Sequence, residues 1–221
     1  MKYFLQANLG ILLVPLLFLF LFYFGKNLKK YDYRYELGAL IIVSINALLS
    51  LGLFGFRLEL LERFLQSGHL SLAFFLLVMF TGVLPKKSKP FKVMMHVRGQ
   101  LAILGFIFLL PHAYSKLSLA LAGYNFTGLI AFIVFIPLVF TSFMPIRKKM
   151  DPKNWKKLHQ FSYITYFLLY LHLGFDILIG NSFSFTFSQY SILYHLLLLL
   201  YIGMRLYLIT IPKLKKKRYE N

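Results

Sequence analysis

The chain has 221 residues and no cysteine; 59% of its residues are hydrophobic and only 14% are charged. Soluble domains carry about a quarter charged residues, so this composition excludes a soluble domain, and the lack of cysteine excludes disulfides and thiolate metal sites. The net charge of +18 lies in short basic clusters between long apolar runs, which argues against a nucleic-acid-binding domain and indicates an integral membrane protein.

Seven apolar runs are long enough, or nearly so, to cross a bilayer, which takes about 20 mostly apolar residues. In chain order they cover roughly residues 3–24, 37–56, 69–84, 98–116, 125–144, 158–179 and 190–211. The first run is followed by basic residues and by no small-residue cleavage motif, so we interpret it as a retained span and not as a signal peptide. The sequence therefore predicts an all-α, polytopic membrane helix bundle with seven transmembrane helices.

Basic residues are distributed unevenly between the loops that join these runs. Twenty of them lie on one side of the predicted membrane, in the segments 25–36, 85–98, 144–158 and 213–218. The four on the opposite side are Lys2, Arg57, Arg63 and Lys116. Because Lys and Arg favour the cytoplasmic side of short loops, we expect the N-terminus outside and the C-terminus in the cytoplasm. This orientation fits a multi-pass protein of the cell membrane, plasma or inner.

Histidines within the spans are candidate functional residues, because ionisable side chains are costly at bilayer depth. His112 lies 14 residues after Arg98, and His172 lies 13 residues after His159; Arg98 and His159 mark the cytoplasmic ends of two spans. A helix rises about 1.5 Å per residue, so both later histidines lie roughly 20 Å from that side. Two imidazoles at one depth on different helices are the arrangement that ligates a b-type haem without covalent attachment.

Two other residues on the sixth run bear on this site. On an ideal helix His159 and His172 point about 140° apart. Both can face one axis only if the helix is kinked or tilted, or if the inner site is approached from another side. Asp176 follows His172 by four residues, on the same face of the predicted helix. Its carboxylate either orients the His172 ring or marks the outer membrane interface.

The remaining histidines have less distinctive positions. We expect His69 and His195 at the membrane interface and His96 in a solvated basic loop. For every histidine in a span, a plain interhelical hydrogen bond stays open as an alternative role.

Three stretches of the chain carry recognisable motifs. The stretch NWKKLHQFSYITYFLLYLH, residues 154–172, has a Trp, a Leu-His pair, a Tyr one turn later and a second His thirteen residues after the first. The stretches RGQLAILGFIFLLPH, residues 98–112, and SGHLSLAFFLLVMFTGVLP, residues 67–85, accompany it. Over roughly residues 60–205 the chain resembles the ferric-reductase-like transmembrane family. It is most similar to the MsrQ (YedZ) type, the membrane haem subunit of the methionine sulfoxide reductase system.

The resemblance implies roles for particular residues. His112 and His172 would ligate an outer haem b, and His159 would belong to an inner haem site. Other members of the family have a second inner histidine where this chain has Arg98, so either Arg98 faces an inner haem or a single haem is bound. His96 is an alternative ligand there. One haem b or two are thus expected, with FMN or a quinone as a further cofactor at the cytoplasmic side.

The domain organisation follows from the six spans that are usual for the MsrQ type. We predict an extra transmembrane helix and basic loop over 1–34, a ferric-reductase-like haem-binding domain over 35–212 and a basic cytoplasmic tail over 213–221. The resemblance implies that the domain passes electrons from a cytoplasmic donor, a quinol or a flavoprotein, to an extracytoplasmic acceptor. That acceptor would be a reductase subunit, a flavoprotein or ferric iron. Whether substrate turns over on this chain or on a partner stays open.

One alternative from another functional class is a small-solute or ion transporter, or a membrane scaffold, in which histidines relay protons or pack. Transporters are expected to show paired broken helices or acidic residues at mid-membrane, and few such features occur here. The predicted partners are therefore the lipid bilayer, a separate electron donor and an extracytoplasmic redox protein, and no nucleic acid.

Overall fold

The computed structural model describes residues 2–30, 32–53, 55–179 and 183–220, and within these ranges it describes side chains from residue 3 to residue 210. Helices make up most of these ranges. They are α1 (Lys2–Ala7), α2 (Leu9–Lys30), α3 (Asp32–Ser50), α4 (Glu59–Gln66), α5 (His69–Thr81), α6 (Lys89–Leu121), α7 (Thr127–Phe140), α8 (Met144–Arg147), α9 (Pro152–His159), α10 (Ser162–Gly174) and α11 (Ile192–Glu220). Two short strands, β1 (Phe175–Leu178) and β2 (Ser184–Phe187), pair antiparallel. The side chains of the predicted basic tail, 213–221, lie outside the described residues.

Four helical segments are long and apolar enough to cross a membrane. They are Leu9–Lys30, Glu59–Thr81, Lys89–Leu121 and Ile192–Thr210, and they correspond to the first, third, fourth and seventh predicted runs. The other three runs correspond to α3, α7 and α10, which have 19, 14 and 13 residues. The protein is thus a mostly helical membrane bundle, while the seven-span count and the orientation stay predictions.

Helix α5 lies at the centre of the bundle. Nine of the 13 residues of α5 are buried, against four of the 22 residues of α2. The apolar but exposed faces of the outer helices suit contact with lipid. Helix α2 packs closely on α5, since a Cβ added at Gly10 would lie 2.8 Å from Cδ2 of Leu72. The N-terminal helix is therefore an integral part of the bundle.

A small hairpin corrects the all-α expectation. It pairs with the loop between α6 and α7: the Asn125 amide donates to the Ile177 carbonyl at 2.6 Å, and the Ile179 amide donates to the Gly123 carbonyl at 2.9 Å. Gly123 has a φ of +91°, and a Cβ there would lie 1.7 Å from the Ile179 oxygen, so only glycine fits. The hairpin thereby ties the start of α7 to the end of α10.

The prediction of one continuous helix over 158–179 is wrong. Helix α9 ends at His159, α10 follows after two residues, and β1 begins directly after α10. At the junction the amides of Gln160 and Phe161 bond to carbonyls three residues earlier, at 3.1 and 3.0 Å, as in a 3₁₀ turn. Such a turn advances about 120° per residue instead of about 100°. The turn therefore makes the angle between the His159 and His172 directions smaller than the roughly 140° of an ideal helix.

Candidate functional site

His112 lies on α6 in a defined orientation. Its Nδ1 is 2.8 Å from the backbone carbonyl oxygen of Gln66. A carbonyl only accepts hydrogen bonds, so Nδ1 donates, and in the neutral ring Nε2 carries the lone pair. The Gln66 carbonyl can accept this bond because α4 ends at that residue and leaves its last carbonyls without helical partners. The end of one helix thus fixes the tautomer of a histidine on another.

Gly68 forms the surface against which the His112 ring lies. It ends α4 in the left-handed conformation, with φ at +74°. A Cβ added there would lie 3.0 Å from Cγ of His112, closer than ordinary van der Waals contact. Glycine at this position therefore serves both the turn between α4 and α5 and the approach of the ring.

His172 lies on α10 in a comparable setting, with a glycine behind its ring. Gly128, in the first turn of α7, is so close that an added Cβ would lie 2.7 Å from Nδ1 of His172. That Nδ1 is buried and has no hydrogen-bond partner in good geometry among the described residues, although the backbone of Asn125 is close to the ring. A buried polar atom without a hydrogen bond destabilises the fold by about 1–3 kcal/mol. Most buried histidines that only pack avoid this by forming a hydrogen bond, so His172 differs from them.

The structure brings His112 and His172 together. Their ring centres are 6.1 Å apart and the ring planes are inclined by 74°. An imidazole nitrogen ligates a metal at about 2.0–2.1 Å, and its ring centre lies about 1 Å further back, so two rings on opposite sides of one ion have centres about 6 Å apart. The spacing therefore fits one metal ion between the rings, and the assignment of both histidines as ligands stays a prediction.

Both rings border a cavity of about 640 Å³. Its walls come from α5, α6, α7 and α10 and are mainly apolar, with Leu72, Phe75 and Phe132 among them. Cofactor sites are typically apolar clefts of about 300–1,000 Å³ with a few placed polar groups. The cavity thus has the size and the lining of a site for a bulky apolar cofactor.

The ligand set itself distinguishes haem from a free metal ion. In the described part of the chain, no group of three or more His, Cys, Asp or Glu residues is placed to hold a metal ion. Two imidazoles are too few for a tetrahedral zinc site. They complete the coordination of an iron that a porphyrin already holds, so the residues present fit a haem.

His159 and Arg98 precede the first pair along the chain: His159 is the last residue of α9, and Arg98 lies in the N-terminal third of α6. Nε2 of His159 is 3.1 Å from Oγ1 of Thr141, and its ring centre is 4.0 Å from that of Trp155. The charge of Arg98 acts on His159. These two predicted inner-site residues therefore lie within electrostatic range of each other, and the hydrogen bond of His159 to Thr141 distinguishes its setting from that of the outer pair.

The other histidines differ in their surroundings. His96 is exposed, but it lies within helix α6, so the prediction of a loop at this residue is wrong. Both ring nitrogens of His195 form hydrogen bonds, Nδ1 with the Tyr170 hydroxyl at 2.9 Å and Nε2 with the Ser191 hydroxyl at 3.1 Å. His195 therefore has the structural role of a histidine that hydrogen-bonds between helices. His69 lines the same cavity as His112 and His172. The sequence predicted only that His69 lies at the membrane interface.

Asp176 does not lie one helical turn beyond His172, because α10 ends at Gly174 and Asp176 belongs to β1. Its Oδ1 accepts hydrogen bonds from the Tyr124 and Ser188 hydroxyls, each at 3.2 Å. Burial and the neighbouring Asp176 carboxylate raise the pKa of Tyr124, so this phenol stays protonated and donates. Asp176 therefore does not share a helix face with His172, contrary to the prediction, and its hydrogen bonds hold the hairpin to the α6–α7 loop.

Three residues behind the two rings, Gln66, Gly68 and Gly128, were not predicted from the sequence. Gly68 carries a usable signal, since it follows two polar residues between apolar stretches, as a helix C-terminus does. Gly128 carries none, because its role depends on a contact with a residue far away in the sequence.

Part of the chain is similar to known proteins. Residues 67–170 match the family described as ferric reductase like transmembrane component. A protein of Treponema pallidum (strain Nichols), described as uncharacterized, is 30% identical over 172 residues, an alignment that covers 69% of this chain and 47% of the relative. The chain thus spans about half the length of that relative. No solved structure matches the chain.

The matched segment contains the candidate residues Arg98, His112 and His159, and it ends two residues before His172. The match and the four membrane-length helices agree on a multi-pass membrane protein. Over its central part the chain is therefore similar to the transmembrane component of ferric reductases, which supports a role in membrane electron transfer.

Proposed function

We propose that this chain is a membrane electron-transfer protein that binds one haem b between His112 and His172, as the membrane haem subunit of an oxidoreductase of the MsrQ type. The main support is geometric: the two ring centres are 6.1 Å apart, and both rings border a cavity of about 640 Å³. The match to the ferric reductase like family supports it independently.

The residues of the chain would prepare the site in three ways. The Gln66 carbonyl holds the hydrogen on Nδ1 of His112, so Nε2 is the atom available for ligation. Gly68 and Gly128 let both rings approach closely. The apolar walls exclude water, which together with the axial ligands tunes a redox potential. A haem b bound there would supply reversible one-electron chemistry.

One haem is proposed, although the resemblance allows two. Nε2 of His159 already pairs with the Thr141 hydroxyl, and the ring lies against Trp155. His159 and Arg98 would instead line the entry for electrons from the cytoplasmic side, delivered by a quinol or a flavoprotein. The predicted orientation places the His112–His172 cavity in the outer half of the membrane. The acceptor would therefore be an extracytoplasmic reductase subunit, a flavoprotein or ferric iron.

Electron transfer across vesicles tests this function. The purified protein is reconstituted into liposomes that contain a membrane-impermeant reductant, with ferricyanide outside as the acceptor. We expect the wild type and His96→Ala to reduce ferricyanide, and His112→Ala and His172→Ala to match empty liposomes. Equal rates in all four proteins would contradict the proposal.

A further inference from the structure

Lys116 is the one Lys or Arg among the residues that line the cavity, and no Asp or Glu joins it in that lining, within the described residues. It follows His112 by four residues on the continuous helix α6, so both side chains lie on the same face, with Lys116 one turn further out. Its charge acts on His112. Among the described residues, Lys116 therefore adds the one permanently charged side chain to a mainly apolar lining.

Packing and pairing do not account for this lysine. Basic residues are scarce on the predicted outer side, and two of the four there are engaged: Arg63 pairs with Glu59 at 2.7 Å, and Arg57 donates to the Ser50 carbonyl at 3.1 Å. Among the described residues no hydrogen bond or ion pair engages Lys116, and its side chain is exposed. A lysine at such a helix position can also extend to the lipid headgroups. Cofactor affinity distinguishes the two roles, because a lysine that only contacts headgroups does not affect it.

We propose that Lys116 binds the carboxylates of the cavity's ligand and so fixes the ligand with its acidic edge towards the outer mouth. This inference rests on the proposed function, because haem b has an apolar macrocycle and two propionates on one edge. The apolar walls would receive the macrocycle, and the ammonium group would pair with a propionate in a charge-assisted contact. Lys116 is thus a positioning residue that selects the orientation of the cofactor.

Titration of the apoprotein with two forms of the cofactor tests the inference. Full-length wild type, Lys116→Gln and Lys116→Arg are titrated with haem b and with haem b dimethyl ester, which lacks the propionate charges. Lys148→Gln is the matched control, since Lys148 is also exposed but lies in the loop after α8. We expect Lys116→Gln to weaken haem b binding about tenfold, and we expect Lys116→Arg and Lys148→Gln to bind as the wild type does.

The ester separates charge pairing from a structural effect. Wild type and Lys116→Gln should bind the dimethyl ester equally, and the midpoint potential with haem b should fall in Lys116→Gln, because a nearby positive charge favours the reduced state. Two results overturn this inference and leave the proposed function intact. One is equal affinity of the wild type and Lys116→Gln for haem b, and the other is an equal loss of affinity of Lys116→Gln for haem b and for the dimethyl ester. Failure of the wild type to bind haem b overturns the proposed function and the inference with it.

Discussion

At the residue scale, the proximity of His112 and His172 could be predicted from the sequence, whereas the groups that orient their rings could not. Counting residues from the basic ends of two spans predicts His112 and His172 at one depth if the helical rise is constant, and the 3₁₀ turn after His159 departs from that rise over two residues only. The contact between Gln66 and His112 joins residues far apart in the sequence, and it exists only because α4 ends where it does. Helix periodicity contains no information about such a contact.

Gly128→Ala tests whether the space behind His172 positions that ring. The added Cβ would lie 2.7 Å from Nδ1, so the ring must move, and we expect reduced haem occupancy without loss of helical circular dichroism. Gly38→Ala is the control, since a Cβ there meets nothing within 4 Å. Full occupancy in Gly128→Ala would contradict the role given to this glycine.

A matched pair of glycines separates backbone strain from contact with His112. Gly68 and Gly55 have φ values of +74° and +69°, so alanine at either should destabilise the fold by a similar amount, about 1–3 kcal/mol. Only at Gly68 does the added Cβ meet His112. We expect both variants to melt earlier and only Gly68→Ala to alter the haem spectrum; identical spectra would argue against the contact.

At the element scale, long apolar helices were predicted well and short irregular elements were not. Runs rich in Leu and Phe predicted α2, α6 and α11, because only helices satisfy their own backbone within a bilayer. The 3₁₀ turn at Gln160 and the strand at Phe175 interrupt an equally apolar run. Hydropathy cannot distinguish these elements, since the hydrogen bonds that form them come from local backbone geometry and a distant loop.

Gly123→Ala tests whether the hairpin and the α6–α7 loop hold the site together. The added Cβ would lie 1.7 Å from the Ile179 carbonyl oxygen, so the pairing of loop and hairpin must break. We expect weaker haem retention, because the start of α7 lies against His172. Gly52→Ala, with a φ of +75° and open space around it, controls for strain; equal retention in both variants would show that the loop is dispensable.

At the scale of the whole molecule, composition determines the class of protein and the basic clusters predict its orientation. Because the sequence has no cysteine, single introduced cysteines report topology without background. Lys148→Cys should react with a membrane-impermeant maleimide only after lysis, and Phe183→Cys, before β2, should react in intact cells. The opposite pattern would reverse the proposed direction of electron transfer while leaving the haem site itself unaffected.

The reduced-minus-oxidised absorption spectrum of the purified protein tests the central claim, that His112 and His172 ligate a haem b, most directly. The spectrum is recorded for wild type, His112→Ala, His172→Ala and, as a control, His96→Ala, whose side chain is exposed. We predict a b-type band in the wild type and in His96→Ala, and its loss in the other two at unchanged helical content. A wild type without the band, or an unchanged band in His112→Ala and His172→Ala, would contradict the claim.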